Sequence, residues 1–119
     1  MVTAAQMRKL TLSMPEAEEK SHFGQPDFRV RNKIFAGLSP DGRRATVKLD
    51  REVQSMLLDA RPEAFVACAG AWGRGGWTYV TLAAVKAAEL RPLVVEAWRA
   101  VAPKRLVAAY DGAPAQRKR

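Results

Sequence analysis

Six basic side chains lie close together in the chain and are the residues best suited to contact an anionic partner. They are Arg29, Arg31, Lys33, Arg43, Arg44 and Lys48. Apolar residues alternate with four of these cations at a period of two, which on a strand turns the cations to one face. We therefore expect four cations on two strands to share the exposed face of a sheet, with Lys33 and Arg43 at its turns. The four are Arg29, Arg31, Arg44 and Lys48. Such cations contact phosphates without reading sequence, although a solvated strand face with edge-protecting charges is equally expected to show this pattern.

A glycine-rich segment with an arginine between aromatic residues is the second stretch suited to binding. Trp72 and Trp77 flank residues 73–76, which are three glycines and Arg74, and Tyr79 follows Trp77 by two residues. Glycines allow positive φ and close backbone approach. We expect a flexible wing that directs Arg74 at a nucleic-acid groove or backbone, with the three aromatic side chains placed to stack on a base. The alternative is a stiff turn with tryptophans folded into the core.

No set of residues in the sequence predicts catalysis. His22 is the only histidine and Cys68 the only cysteine, and nucleophilic catalysis needs a base held against the nucleophile. No second ligand stands at usable spacing from His22, so no metal is expected, and the glycine-rich segment lacks the Gly-Lys-Ser/Thr end of a phosphate loop. We expect no catalytic residue, no metal and no cofactor, and hence a protein that is not an enzyme.

The positive charge is concentrated in two places. The formal net charge is +8; residues 28–51 hold seven bases and two acids, a surplus of five, and the last three residues add three. Concentrated positive charge favours polyanionic partners such as nucleic acid or acidic proteins. The same excess is also compatible with a merely basic, solvated surface.

Length and composition predict one domain with its own hydrophobic core. The chain has 119 residues, of which 48% are hydrophobic, so neither a disulfide nor a metal is required for stability. The lone Cys68 suits a reducing compartment. In residues 1–14 the basic residues do not precede an apolar run, so the segment is not expected to be a signal peptide. No apolar run reaches the roughly 20 residues that span a bilayer. We expect a cytoplasmic protein without membrane contact.

Periodicity predicts a two-layer α+β fold with an antiparallel sheet and helices on one side. The expected order is one helix, three or four strands, a helix, two strands and a helix. The elements are a helix over residues 4–13, strands over 18–23, 28–31, 34–38 and 44–49, a helix over 51–60, strands over 65–67 and 77–82, and a helix over 90–101, with one or two further helical turns over 104–110. The domain is expected to span residues 1–110, and residues 111–119 to form a basic, disordered tail.

Three local signals make predictions that a structure can check directly. Residues 39–42, Ser-Pro-Asp-Gly, predict a turn that joins two antiparallel strands, with Val47 buried and Lys48 exposed. A tight bend is expected at Asn32-Lys33. Asp50 is placed to cap the second helix, whose buried stripe is expected to contain Val53, Met56, Leu57 and Ala60.

The chain resembles the MmcQ/YjbR family of small bacterial proteins. The resemblance covers about residues 3–110 and is carried by residues 15–30 (PEAEEKSHFGQPDFRV), by Lys33-Ile34-Phe35-Ala36, by residues 77–80 and by the helix over 90–101. It implies a two-layer α+β fold similar to type III secretion chaperones. It also implies DNA binding, because the family looks like a "double wing" of strands and hairpin, and it supplies no catalytic residues. The glycines of residues 73–76 are a departure from the family pattern.

Two classes of function follow from these observations. The first is a domain that binds nucleic acid, with duplex DNA expected, through the basic sheet face and the wing segment. The second is a protein-binding module of chaperone-like fold that uses Trp72, Trp77 or an exposed apolar helix face. Salt separates the two, because phosphate contacts weaken steeply as salt rises and apolar contacts do not.

Overall fold

Six strands and five helices make up the part of the chain that the structure describes. The computed structural model describes residues 1–117, with side chains to residue 112. The elements are α1 (Ala4–Leu12), β1 (Glu18–His22), β2 (Gln25–Val30), β3 (Lys33–Leu38), β4 (Arg44–Lys48), α2 (Arg51–Ala60), β5 (Phe65–Ala67), α3 (Gly70–Arg74), β6 (Trp77–Thr81), α4 (Ala87–Val101) and α5 (Lys104–Arg117). A single 3-10 turn, Leu82–Ala84, joins β6 to α4.

The strands form one antiparallel sheet in the order β1-β2-β3-β4-β6-β5. β1 to β4 are a meander of hairpins, and every neighbouring pair is antiparallel. The chain then crosses over through α2 and returns β6 beside β4, with β5 at the outer edge. The predicted α+β class with an antiparallel sheet is therefore confirmed.

The turn between β3 and β4 follows its local sequence. Gly42 has a φ of 73°, which favours glycine at this position. The Gly42 amide donates to the Ser39 carbonyl at 2.9 Å, and the Ser39 amide donates to the Arg44 carbonyl at 2.9 Å. Val47 is fully buried and Lys48 is partly exposed. The predicted hairpin is confirmed.

One face of the sheet carries the hydrophobic core, and we call it the closed face. The register places Phe28 beside Ala36, Ala36 beside Val47, and Val47 beside Thr78. All four side chains are fully buried. Side chains of α1, α2, α4 and α5 pack against this core. Alternation along each strand thus directs one set of residues into a packed layer.

Capping residues fix where the helices begin. Thr3 and Gln6 form a capping box at the start of α1, with the Gln6 amide donating to Thr3 Oγ1 at 3.1 Å. Asp50 caps α2 as predicted, because its Oδ2 accepts from the Glu52 amide at 3.0 Å. Of the described helices, none is both long and apolar enough to cross a bilayer.

The helix α4 begins three residues earlier than the periodicity predicts, so Pro92 lies beyond its first turn and not within it. Proline removes one helical hydrogen bond and crowds the preceding turn. The helix is held by tertiary packing instead, because Leu90, Leu93, Val94, Ala97 and Trp98 are buried. Trp98 also donates its indole Nε1–H to the Pro15 carbonyl at 2.9 Å.

The predicted buried stripe of α2 is wrong in two positions. Met56 is 66% exposed, and Ala60 is exposed. Gln54 is buried in their place because its side-chain amide finds three oxygen acceptors behind the helix. Only Val53 and Leu57 of the predicted stripe pack against the core.

The C-terminal helix continues past the expected end of the domain. α5 extends to Arg117, where a disordered tail from residue 111 is expected. Tyr110 packs on Trp98 with ring centroids 5.1 Å apart, and Asp111 accepts from Arg99 Nη1 at 2.5 Å. These contacts anchor the start of the segment, which sequence periodicity does not reveal. Lys118 and Arg119 lie outside the described residues.

Candidate functional site

The other face of the sheet, which we call the open face, is polar and aromatic. In the middle row the register places Asp27 beside Gly37, Gly37 beside Thr46, and Thr46 beside Tyr79. Side chains alternate along each strand, so every second residue before and after this row lies on the same face. These residues include His22, Arg29, Arg44, Lys48 and Trp77. Asp27 is the only one of these side chains that is buried. Among the described residues, no second hydrophobic core covers the open face.

Arg29 lies on the predicted face, but its guanidinium is already occupied. Its Nε donates to Asp27 Oδ1 at 2.7 Å and its Nη2 to Asp27 Oδ2 at 3.0 Å. A third bond joins Nη1 to Asn32 Oδ1 at 2.9 Å. His22 Nδ1 lies 2.8 Å from Asp27 Oδ2. These hydrogen bonds from Arg29, and then from His22, hold the pKa of Asp27 below its ordinary value.

Arg31 does not share the face of the other cations. Arg31 and Asn32 both have positive φ, 51° and 67°, and form the two-residue turn between β2 and β3 that was expected one residue later. Asparagine tolerates this conformation well and often marks such turns. Outside the strand, Arg31 Nε donates to Glu16 Oε1 at 2.7 Å. Its guanidinium therefore faces a carboxylate rather than the open face.

The remaining predicted cations have no carboxylate partner among the described residues. They are Lys33, Arg43, Arg44, Lys48 and Arg74. Arg44 and Lys48 lie on the open face, and the Arg44 guanidinium carbon sits 4.0 Å from the centroid of the Tyr79 ring. This cation–π contact positions Arg44 without neutralising it. Arg43 follows the β3–β4 turn, whereas Lys33 begins β3 at the opposite end of the sheet.

The glycine-rich segment is a short helix and a fixed turn, not a flexible wing. Residues 70–74 form α3. Gln54 Nε2 donates to the Gly73 carbonyl at 3.0 Å, and the Leu49 amide donates to the Gly76 carbonyl at 2.9 Å. Gly76 has a φ of 100°, and a Cβ there would lie 2.0 Å from the Leu49 carbonyl oxygen. Glycine at this position is needed for close backbone approach, which restrains the segment.

The fixed α3 places two tryptophans together at the open face. Trp72 and Trp77 have ring centroids 5.5 Å apart and planes inclined by 51°. Trp72 is 60% exposed, and Trp77 is partly buried. Neither belongs to the core, whereas Trp98 does. An exposed indole held against a second one is a rigid apolar surface in an otherwise polar region.

A cavity of about 400 Å³ opens on this face, and we call it the Gly37 cavity. Gly37 and Thr46 line it on β3 and β4, and Asp27 of β2 and His22 of β1 line it beyond Gly37. Arg44 and the aromatic side chains of residues 72, 77 and 79 line the rest. A Cβ at Gly37 would lie 2.8 Å from Thr46 Oγ1, so the glycine lets the Thr46 hydroxyl lie close over the strand. Sequence patterns did not identify Asp27, Gly37 or Thr46, because each gains its role only through cross-strand neighbours.

His22 and Cys68 both line this cavity, although their positions in sequence gave no reason to expect it. No hydrogen bond joins these two described side chains, and His22 Nδ1 is bound to Asp27. Burial raises the pKa of the Cys68 thiol, a shift that a hydrogen bond with Tyr79 partly offsets. The raised pKa disfavours the thiolate that a nucleophile requires. Within the described residues no group of three potential ligands is placed to hold a metal ion.

The fold and the open face define a small α+β protein with a half-covered antiparallel sheet. Comparison of the sequence with known families matches YjbR over residues 12–100. The chain therefore belongs to the YjbR family. The crystal structure of Deinococcus radiodurans protein DR2400, described as a DUF419 domain, is similar with a TM-score of 0.73. It is 23% identical, over 82% of this chain and 77% of that one, a likeness that shows the fold. No curated protein sequence matches the chain.

Proposed function

We propose that this protein is a nucleic-acid-binding domain that uses the open face of its sheet, with DNA as the polymer that the family resemblance implies. The observation that carries the proposal is the juxtaposition of Arg44 and Lys48 with Trp77 and Tyr79 on adjacent strands. Cations without carboxylate partners bind phosphates, and adjacent aromatic rings offer stacking surfaces to bases. Both kinds of contact are available on one side of the molecule.

The topology supports a contact through two wings, but these wings are not the glycine-rich segment that the sequence suggested. β1 and β3 run in the same direction, so the β1–β2 and β3–β4 turns lie at the same end of the sheet. The first turn holds Phe23 and Gly24, and the second holds Pro40 to Gly42, followed by Arg43. These two hairpin ends, and not residues 73–76, are the wings of the proposal.

Paired cations contribute little to this surface. Arg29 is bound to Asp27 and Arg31 to Glu16, so using either on a phosphate would require breaking an existing ion pair. Arg44 and Lys48 carry the proposed phosphate contacts on the face itself, and Arg43 can add one from the turn. The number of phosphate contacts is thus smaller than the net charge of residues 28–51 suggests.

A titration of labelled DNA by fluorescence anisotropy at two salt concentrations tests the proposal. The double variant Arg44→Gln/Lys48→Gln should bind more weakly and should flatten the slope of log affinity against log salt by about one to two. The matched control Arg91→Gln/Lys104→Gln removes the same charge from exposed positions on α4 and α5 and should leave most of the affinity intact. Equal losses in the two double variants would refute a site on the open face.

A second candidate, protein binding, is favoured by one specific observation. Phe23 is 99% exposed and has a φ of 51° at the tip of the β1–β2 hairpin. An aromatic side chain held in solvent by a strained turn is an apolar anchor for a partner. Binding of this kind would persist at high salt and would be lost in Phe23→Ser, which distinguishes it from phosphate contact.

A further inference from the structure

We infer that the Gly37 cavity accepts the base of an unpaired nucleotide, which makes single-stranded nucleic acid the preferred ligand of the open face. This inference rests on the proposed function and specifies the state of the strand. It is drawn from the shape of the cavity, the chemistry of its walls and the position of Arg44 beside it.

The shape of the cavity suits a small planar group. Its volume of about 400 Å³ lies at the lower end of the range typical of small-molecule sites. Gly37 does not have a positive φ, so backbone conformation does not demand a glycine there. What the missing side chain permits is the close approach of two polar atoms, since a Cβ would meet Thr46 Oγ1 at 2.8 Å and the Pro26 carbonyl oxygen at 3.3 Å.

The walls supply what a nucleotide requires. Trp72 and Trp77 line one side, and the exposed ring of Trp72 offers a surface on which a base can stack. Polar groups of Thr46 and His22 line other parts of the cavity; His22 is oriented by Asp27, so its second ring nitrogen is left for a base edge. Arg44 also lines the cavity and has no described carboxylate partner, so its guanidinium is available to the phosphate of the same nucleotide.

A base within a duplex cannot fill this cavity. Its faces are stacked on neighbouring base pairs, and turning it out costs a few kcal/mol of stacking and pairing. An unpaired base has no such restraint. The open face, with cations and aromatic rings on adjacent strands, matches the general design of surfaces that bind single strands.

Three labelled probes of equal length, about twelve nucleotides, test the inference by fluorescence anisotropy. They are a single strand with its bases, an abasic strand with the same phosphates, and a duplex. We expect the base-bearing single strand to bind about tenfold or more tighter than the abasic strand, and tighter than the duplex. The abasic strand isolates the phosphate contribution.

Two variants then connect the difference to the cavity. Gly37→Ala introduces a methyl that must displace Thr46 Oγ1, which lines the cavity. It should reduce the preference for the base-bearing strand while the affinity for the abasic strand and its salt dependence stay unchanged. Trp72→Ala removes a side chain that is already 60% exposed, so it should give the same selective loss without disturbing the core. Unchanged far-UV circular dichroism and a cooperative urea transition identify folded variants.

The outcomes separate this inference from the proposed function. Salt-dependent binding with equal affinity for the base-bearing and abasic strands would overturn the cavity inference and leave phosphate binding standing. Tighter binding of the duplex than of the single strand would also overturn it. Absence of salt-dependent binding to all three probes would remove the proposed function itself.

Discussion

The two faces of this sheet are built from the same strands and differ in what stabilises them. On the closed face, Phe28, Val47 and Val80 are fully buried under the helices. On the open face, their neighbours Arg29, Thr46 and Tyr79 stay partly exposed around a cavity. Because successive side chains of a strand point to opposite faces, every second residue packs in the core and the others remain available for binding.

The comparison shows where binding residues can be changed without unfolding the protein. Burial of apolar area on the closed face is the main source of stability. The open face gains less from burial, and its Asp27 network and its Arg44–Tyr79 contact organise polar groups instead. Substitutions on the two faces should therefore separate stability from binding.

Adjacent residues of β4 give the largest expected contrast. Val47→Ala and Thr46→Ala remove side chains of nearly equal size from opposite faces. We expect Val47→Ala to lower the free energy of unfolding by about 1–3 kcal/mol, because Val47 is fully buried. Thr46→Ala should change it by less than about 0.5 kcal/mol. Urea unfolding of both variants measures the contrast, and equal losses would show that the open face is packed as tightly as the closed one.

Gln54 connects the two regions, because it extends from α2 to the segment that carries Trp72. Its Nε2 donates to the carbonyls of Gly73 and Trp77 and to Thr78 Oγ1, at 3.0, 3.2 and 3.1 Å. Gln54→Leu leaves these buried acceptors without their donor and should lower stability by about 1–2 kcal/mol.

The same substitution should also loosen α3. We expect the near-UV circular dichroism of the tryptophans to weaken, since the Trp72–Trp77 contact depends on the position of Gly73. Glu52→Gln, a change on the exposed side of the same helix, is the control and should preserve the spectrum. A native-like spectrum in Gln54→Leu would show that α3 is held by other contacts.

Asp27 makes the stability of the open face depend on pH. Its pKa is lowered in the folded protein, chiefly by hydrogen bonds from Arg29, relative to about 3.9 in an unfolded chain. The carboxylate therefore contributes stability that is fully present above about pH 4 and is lost as pH falls through the lower folded pKa.

Asp27→Asn removes the charge while keeping the size of the side chain. We expect it to cost about 1 kcal/mol at pH 7 through weakened hydrogen bonds. The difference from the wild type should shrink as pH falls below about 4. Chemical unfolding at several pH values measures this difference in the free energy of unfolding. A difference that stays constant down to pH 2 would contradict a stabilising role for the Asp27 carboxylate.

Local signals in the sequence predicted much of the fold. The β3–β4 hairpin follows from Ser39-Pro40-Asp41-Gly42, and the start of α2 follows from the Asp50 cap, because both depend on bonds between residues a few positions apart. The alternation along β2 and β4 correctly assigned the buried residues of the closed face.

Features that depend on distant residues were not accessible in the same way. Residues 73–76 are rigid because Leu49 and Gln54 bind their carbonyls, and no local pattern encodes these partners. The pairing of Arg31 with Glu16 likewise joins residues 15 positions apart. The alternation along β2 correctly predicted the face on which Arg29 lies. The ion pair between Arg29 and Asp27 could not be predicted, because it depends on the rotamers of both side chains.

The three tryptophans offer the most direct test of the division between the faces. Trp72 and Trp77 lie at the open face, whereas Trp98 is fully buried in the core. Each indole N–H gives its own resonance in a two-dimensional 1H–15N spectrum, and Phe substitutions assign them. On titration with single-stranded DNA at low salt, we expect the Trp72 and Trp77 resonances to shift and that of Trp98 to stay in place. A shift of the Trp98 resonance alone, or saturation of binding with all three unchanged, would contradict a binding site on the open face.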